Sequence, residues 1–196
     1  MSVANRILEF EALRRAILTC ERCPGLVASR SRSVPGSGTI PARVAFVGLA
    51  PGRLGGDRSG VPFTGDRSGN LLRKMIHDNG LDRVFITNLV RCNPRDERGR
   101  NRDPSAAEVA NCKCFLHAEL NQSSAALVVC LGRVAWHELA GRDQPFDPTH
   151  ARPVSRGGRL IYPMFHPAYV NRGAYSPNKY AKDFVRLRLL VERMAL

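Results

Sequence analysis

The chain has 196 residues, of which 43% are hydrophobic, and it lacks the apolar run of roughly 20 residues that a membrane span needs. We therefore expect one domain over residues 1–196, in the cytoplasm and without a membrane partner, and Glu9 and Glu11 argue against a signal peptide. Thirty Lys and Arg residues against 17 Asp and Glu give a net charge of +13, which favours a polyanionic partner, above all nucleic acid.

Predicted helices and strands alternate along the chain. A first helix is expected over residues 5–18, where apolar residues recur at helical spacing. Short apolar runs predict strands over residues 43–48, 84–90, 126–131 and 159–162. Further helices are expected over 68–79, 105–120, 133–140 and 178–194, the second of them opened by a capping box of Ser105 and Glu108. This alternation predicts an α/β fold with three layers, α/β/α, around a central four-stranded, mostly parallel sheet.

Three polar segments follow predicted strands, over residues 49–67, 91–103 and 163–173. In parallel sheets, ligands bind just beyond the carboxyl ends of the strands. We therefore expect the chemistry of this chain to lie in these three segments.

The first segment is rich in Gly but lacks the Gly-Lys-Ser/Thr ending of a phosphate-binding loop. Its glycines allow the backbone to approach a ligand and to direct N–H groups at it. Phe63 offers an aromatic face for a planar ligand, while Asp57 and Asp66 offer carboxylates that can hold a water. The alternative is an ordinary surface loop.

Single polar residues mark the other two segments. Asn88 ends the second strand and carries both a donor and an acceptor, as needed to read the edge of a base, although such an Asn is often a turn or cap residue. His166, fixed by the following Pro167, can donate a hydrogen bond to a developing anion, or it is a structural histidine. Arg172 can meet a phosphate.

Six cysteines lie at positions 20, 23, 92, 112, 114 and 130. Disulfides are not expected in a cytoplasmic protein, which leaves metal ligation or burial. Cys130 lies inside an apolar strand and is predicted to be core. Four of the other thiolates would suit zinc as well as iron.

Taken together, the three segments resemble the uracil-DNA glycosylase superfamily. The sequence GLAPG, followed by GGDRSG and FTGDRSG, is most similar to its iron–sulfur families four and five, and above all to family five, over about residues 18–185. The resemblance implies a DNA-repair enzyme that flips uracil out of DNA, hydrolyses its N-glycosidic bond and leaves an abasic site. The motifs contain no Lys that could form a Schiff base, so we expect a monofunctional enzyme. Residues 93–103 contain no His, so we expect no covalent adduct with DNA.

The resemblance also implies roles for particular residues. His166 and backbone N–H groups face the departing base, Phe63 stacks on it and Asn88 reads its edge. Ala50 stands where related enzymes carry Asp, so the activation of water falls to Asp57, with Asp66 as second choice or as a helix cap. The expected base-binding residues are Gly48, Leu49, Ala50, Pro51, Gly52, Phe63 and Asn88.

A [4Fe–4S] cluster and a DNA surface complete the implied set. The resemblance assigns four cysteines to the cluster and leaves Cys114 as a competitor for the fourth place: Cys20, Cys23, Cys92 and Cys112. Arg91 is expected to contact phosphates, together with the arginines at positions 95, 98, 100 and 102 and with Arg172. Tyr169 and Val170 are candidates for the wedge that fills the gap left by the flipped base.

Ala50 also broadens the expected substrates, from uracil to hypoxanthine and xanthine. A monomer acting near the nucleoid is expected. The main alternative is a binding protein that keeps the pocket for uracil-containing DNA but has lost catalysis, in which case replacing Asp57 changes nothing. A weaker alternative is a zinc-stabilised RNA-binding module.

Overall fold

The computed structural model describes residues 3–194, and residues 1–2 and 195–196 of the predicted domain lie outside this range. Helices and strands alternate as the sequence predicts. In chain order the elements are α1 (Val3–Leu18), α2 (Pro24–Ser29), β1 (Ser37–Gly38), β2 (Val44–Gly48), α3 (Gly56–Ser59), α4 (Arg67–Asp78), β3 (Val84–Asn88), α5 (Ala106–Ser123), β4 (Leu127–Leu131), α6 (Arg133–Leu139), β5 (Val154–Arg156), β6 (Arg159–Met164), α7 (Pro167–Asn171) and α8 (Pro177–Arg193).

The strands form one sheet in the order β1-β3-β2-β4-β6-β5. The four predicted strands are its parallel centre, which confirms the mostly parallel α/β sheet. The predicted number of strands was wrong, because β1 and β5 add antiparallel edges to give six. These edge strands are only 2 and 3 residues long and carry no apolar run, so periodicity had no signal to detect.

Two apolar cores, one on each face of the sheet, establish the three layers. Alternate residues of β2 point to opposite faces, with Ala45 in one core and Phe46 in the other. Residues of α1, α5 and α6 cover the first face, and residues of α4 and α8 cover the second. Cys130 is fully buried in the first core, as predicted. No helix between residues 3 and 194 is long and apolar enough to cross a membrane.

The capping box of α5 is present, with Ser105 and Glu108 each accepting from the backbone of the other. Two short helices, α3 and α7, lie inside polar segments for which the sequence predicts no helix. The register pairs Gly48 with Asn88 and Leu131 with Met164. The ends of β2, β3, β4 and β6 therefore lie side by side, and the segments that follow them meet at one edge of the sheet.

Candidate active site

A cavity of about 740 Å³ opens at the carboxyl edge of the parallel strands. It is lined by the segments that follow β2, β3, β4 and β6, including most of the predicted site: Leu49, Ala50, Pro51, Gly52, Phe63, Asn88, Tyr169, His166 and Arg172. The fold thus brings together residues up to 123 positions apart in the chain (49 to 172). This is the place where the sequence predicted the chemistry to be.

Gly48 ends β2 at a position where no side chain fits. A Cβ atom on Gly48 would lie 2.5 Å from Oδ1 of Asn88 and 2.6 Å from Cζ of Phe63. Phe63 itself has a φ of 51°, a backbone conformation that bulky residues rarely adopt. Gly48 therefore supports the cavity from behind, where only a hydrogen atom fits between the amide and the ring.

Asn88 is buried, and its side chain lines the cavity without a hydrogen bond to any residue between 3 and 194. Leaving a buried amide oxygen without a partner costs about 1–3 kcal/mol, so such groups are rare unless a ligand completes them. The amide supplies a donor and an acceptor side by side. Asn88 is therefore equipped to bind a ligand that carries the complementary pair.

His166 is held in a defined tautomer. Its Nδ1 accepts a hydrogen bond from the N–H of Ala168 at 3.1 Å, so the ring proton of the neutral form is on Nε2. Burial lowers the pKa of His166 to about 4, and the charge of Arg172 adds to the effect. The ring centroid lies 5.6 Å from that of Phe63. At neutral pH His166 is thus an uncharged donor beside an aromatic face.

The segment after β2 contributes backbone groups. The N–H groups of Leu89 and Val90 donate to the carbonyls of Gly48 and Leu49, at 2.8 and 3.0 Å, and tie this turn to the end of β3. The N–H groups of Ala50 and Gly52 donate to no other described residue. Both residues line the cavity.

Asp57 does not lie where the predicted activation of water requires. Its side chain is fully buried, does not line the cavity, and forms an ion pair with Arg95 at 2.6 Å. Its Oδ1 also accepts the N–H of Ser31 at 3.0 Å. The sequence placed Asp57 in the correct segment, but α3 turns its carboxylate away from the cavity.

Asp66, the second choice, lines the cavity. Its Oδ1 caps α4 by accepting the N–H of Gly69 at 2.8 Å. Its Oδ2 accepts no hydrogen bond from residues 3–194 and lies against Gly52 and Gly55. The capping role and a role toward a water are therefore compatible, because they use different oxygens.

Two of the predicted DNA contacts lie at the mouth of the cavity. Tyr169 has 44% of its surface exposed, and the guanidinium of Arg172 lies 5.3 Å from its ring centroid. Val170, the other wedge candidate, packs instead against the core under the cavity.

The prediction for Arg91 is wrong. Its side chain is 1% exposed and donates to Glu119 at 2.7 Å and to the backbone carbonyl of Asn88, so no face is free for a phosphate. The arginines that follow in this loop also form ion pairs: Arg95 pairs with the buried Asp57, and the exposed side chains of Arg100 and Arg102 pair with Asp96 and Glu108. A run of like charges in sequence is thus a set of ion pairs in the fold.

Four cysteines line a second, small cavity of about 20 Å³: Cys20, Cys23, Cys92 and Cys112. N–H groups of Asn111, Arg30 and Arg91 donate to sulfur atoms of three of them, Cys23, Cys92 and Cys112. Cys114 lies outside this cavity, exposed, and accepts from Arg22 at 2.7 Å. Among residues 3–194, no group of three His, Cys, Asp or Glu side chains is arranged to hold a metal ion.

Sequence reasoning overlooked two amide residues of the site. Asn93 and Asn101 line the cavity and hydrogen bond to each other at 2.9 Å. Both residues lie in a polar segment after a strand, which could have indicated a role in the site. The arginines around them instead favour phosphate contacts when the sequence is considered alone.

Comparison with known proteins agrees with this geometry. The Uracil DNA glycosylase superfamily matches residues 35–188. The chain is 34% identical over 189 residues to a type-5 uracil-DNA glycosylase of Pyrobaculum aerophilum, covering 79% of this chain and 80% of the relative. It is 33% identical to a type-4 enzyme of Thermotoga maritima, covering 83% of each. A type-5 uracil-DNA glycosylase of Thermus thermophilus is 31% identical to this chain, and the match covers 81% of this chain and 87% of the relative.

Proposed function

Because the chain belongs to the uracil DNA glycosylase superfamily, we propose that it hydrolyses the bond between uracil and deoxyribose in DNA. The observation that carries this proposal is the buried amide of Asn88, which has no partner and lines a cavity beside Phe63 and His166. The edge of uracil carries an N–H and carbonyl oxygens, the pattern that an amide complements. Uracil fits this site only after it has been flipped out of the duplex.

Different residues of the cavity contact different parts of the flipped nucleotide. Phe63 gives the flipped base a face to stack on, and Asn88 pairs with its edge. Tyr169 at the mouth fills the gap in the duplex, while Arg172 beside it meets a phosphate. The turn of residues 49–52 lines the same cavity and therefore lies near a base bound in this way.

Breaking the C1′–N1 bond leaves its electron pair on the base, as an anion spread over N1 and O2, and leaves an oxocarbenium-like sugar. Donors fixed in advance around the anion lower the barrier more than any other single effect. The Nε2–H of neutral His166 and the free N–H groups of Ala50 and Gly52 are such donors. A neutral histidine is suited to this task, because its Nε2–H donates a hydrogen bond to the anion without transferring the proton.

Water then adds to C1′ and gives its proton to a carboxylate, which completes the abasic site. We assign this carboxylate to Asp66 and not to Asp57, because Asp66 lines the cavity with one unpartnered oxygen. The enzyme is monofunctional, acts as a monomer in the cytoplasm near the nucleoid, and also accepts hypoxanthine and xanthine, since Ala50 adds no polar group that would reject a purine.

We further propose that Cys20, Cys23, Cys92 and Cys112 hold a [4Fe–4S] cluster. Four thiols around one cavity, with N–H groups directed at three sulfur atoms, form the donor set and surroundings of such clusters. When bound by these four cysteines, a cluster would tie α2 and the segment after β3 to α5 and would supply no chemistry to the hydrolysis.

The test is base release from labelled duplex DNA that carries one uracil, hypoxanthine or xanthine, with alkali to cut the abasic sites. Asn88→Ala should lower the single-turnover rate on uracil by about 100-fold or more, since the buried edge contact is lost. Asn178→Ala, an exposed site on α8, is the matched control and should keep the full rate.

The same assay separates the remaining possibilities. Asp66→Asn should keep the cap of α4 but slow hydrolysis by orders of magnitude, because an amide caps a helix and cannot accept the proton of water. Retention of uracil-containing DNA by the wild-type protein without release of any base would instead support the binding protein that has lost catalysis.

A further inference from the structure

A chain of hydrogen bonds, most of them partly buried, runs from Asp57 to residues that line the cavity. Both oxygens of Asp57 are occupied, by the N–H of Ser31 at 3.0 and 3.2 Å and by Nη2 of Arg95 at 2.6 Å. Nε of Arg95 donates to Oδ1 of Asn93 at 2.8 Å. Asp57 is fully buried, so its charge is compensated by Arg95 and not by water.

Asn93 connects Arg95 to the turn that follows β2 by hydrogen bonds. Its Nδ2 donates to the carbonyl of Pro51 at 2.7 Å and to Oδ1 of Asn101 at 2.9 Å, and the residue is 1% exposed. Oδ1 of Asn101 also accepts the N–H of Arg53 at 3.1 Å. Every hydrogen-bonding group of the Asn93 amide is thus used inside the protein.

The carbonyl of Pro51 and the N–H of Gly52 belong to the same planar peptide group and point in opposite directions. Fixing the carbonyl therefore also fixes the direction of this N–H. Gly52 has few steric restrictions of its own, so without the bond from Asn93 the peptide group would rotate more freely. The N–H of Gly52 donates to no other described residue.

We propose that Asn93 is a positioning residue that aims the N–H of Gly52 at the departing base, and that Asp57 acts through Arg95 to hold Asn93. This inference rests on the proposed glycosylase function and deepens it. It gives Asp57 a role in the reaction that does not involve the attacking water. It also explains why a fully buried carboxylate lies one residue beyond Gly56, which does line the cavity.

The experiment is a double-mutant cycle of Asn93→Asp and Asp57→Asn, both nearly isosteric, measured by single-turnover cleavage. Asn93→Asp keeps the acceptor for Arg95 but removes the donor to Pro51. Each variant should lower the rate on uracil by roughly 10–100-fold with little change in the Kd for DNA, because only the transition state is affected. The double variant should be no more than about threefold slower than the slower single variant, since both act through one chain of contacts.

A second substrate separates positioning from a general loss of structure. The anion of 5-fluorouracil is already stabilised by fluorine, so its release depends less on the N–H of Gly52. Both variants should therefore lose several-fold less activity on 5-fluorouracil than on uracil. Asn178→Asp, on the exposed surface of α8, is the control for the Asn-to-Asp change.

Multiplicative effects in the double variant, or equal losses on the two bases, would overturn the inference. Unfolding of both single variants at the assay temperature would also overturn it, because the chain of contacts would then hold the fold and not Gly52. A wild-type protein that releases no base would instead reject the proposed function, so the two failures can be told apart.

Discussion

The space behind Asn88 and Phe63 makes Gly48 sensitive to the smallest substitution. In Gly48→Ala the new methyl group would overlap both side chains, at 2.5 and 2.6 Å, and displace the ring or the amide by about an ångström. Misplacement on this scale costs about 100-fold in rate, so we expect uracil release to fall by that amount in single-turnover assays. Gly25→Ala is the matched control, because a Cβ there meets nothing within 4 Å. An unchanged rate in Gly48→Ala would show that the site is looser than described.

His166 makes the stability of the protein depend on pH. Its pKa falls from 6.5 to about 4 through burial, so between these values the unfolded chain binds a proton that the native state does not. The contribution is fully present above pH 6.5 and is lost as the pH falls toward 4. We expect the free energy of unfolding in urea to decrease from pH 7 to pH 5, and to decrease less in His166→Asn.

Asn is the suitable replacement because it also caps helices and so retains the start of α7. Uracil release by the wild type should show no ionisation near pH 6.5, since His166 stays neutral there. An identical pH dependence of unfolding in His166→Asn would contradict the assignment of the neutral state to this residue.

The two cysteines of α5 offer a matched pair for the cluster. Cys112 faces the cavity shared with Cys20, Cys23 and Cys92, whereas Cys114 is exposed beside Arg22. Cys112→Ser should therefore lose bound iron and the broad visible absorbance of an iron–sulfur protein, and Cys114→Ser should keep both. Iron analysis with absorbance spectra checks this, and zinc found in place of iron would reject the cluster. Loss of iron in Cys114→Ser alone would reverse the assignment.

At the scale of elements, a buried ion pair joins the segment after β3 to α5. Arg91 and Glu119 are each 1% exposed, and Glu119 also accepts from Thr87 at 2.5 Å and from the N–H of Gly36 at 2.7 Å. Removing one partner leaves a buried charge without compensation, so Glu119→Leu should cost about 3–5 kcal/mol in the free energy of unfolding. Adding Arg91→Met should recover much of this loss, as measured by urea denaturation.

The exposed pair of Arg188 and Glu192 on α8 is the comparison. Glu192→Ala should change stability by less than about 1 kcal/mol, because water already screens both charges. If the double variant of Arg91 and Glu119 were as unstable as Glu119→Leu alone, the cost would come from packing and not from the unpaired charge.

The elements found from sequence are those with a strong local signal. The four central strands are apolar on both faces, and a capping box marks the residue at which α5 begins. The edge strands β1 and β5 owe their existence to pairing with β3 and β6, and neither contact is encoded locally. The short helix α7 begins at Pro167 and is capped by His166, and five residues carry too little periodicity to predict a helix.

For the site, the sequence identified the correct segments but not the direction of each side chain. Asn88 ends β3, where the sheet decides which way it faces, and His166 lies two residues beyond β6, where it caps α7. Asp57 lies on α3, and the direction of this helix places its carboxylate beside Arg95 and not in the cavity. Arg91 lies three residues beyond the end of β3, close enough to be drawn into the core by Glu119. Orientation in such segments depends on partners that are distant in sequence.

For the whole molecule, the count of 30 Lys and Arg residues overstates the number of cations that are free to bind DNA. Arg95, Arg100 and Arg102 are held in internal ion pairs, whereas Arg172 pairs with no carboxylate between residues 3 and 194 and lies at the mouth of the cavity. The logarithm of the DNA-binding constant falls with the logarithm of salt concentration, with a slope of about −0.9 for each phosphate neutralised. The arginines should therefore differ in their effects on this slope.

Arg172→Ala should make the slope shallower by about 0.9, because one counterion fewer is released on binding. Arg100→Ala removes the same formal charge but also frees Asp96, so it should change the slope less. Fluorescence anisotropy with duplex DNA that lacks uracil, over a series of salt concentrations, measures both slopes without cleavage. Equal changes in the two variants would mean that DNA draws Arg100 away from Asp96, and the internal ion pairs would then not restrict the surface that binds phosphate.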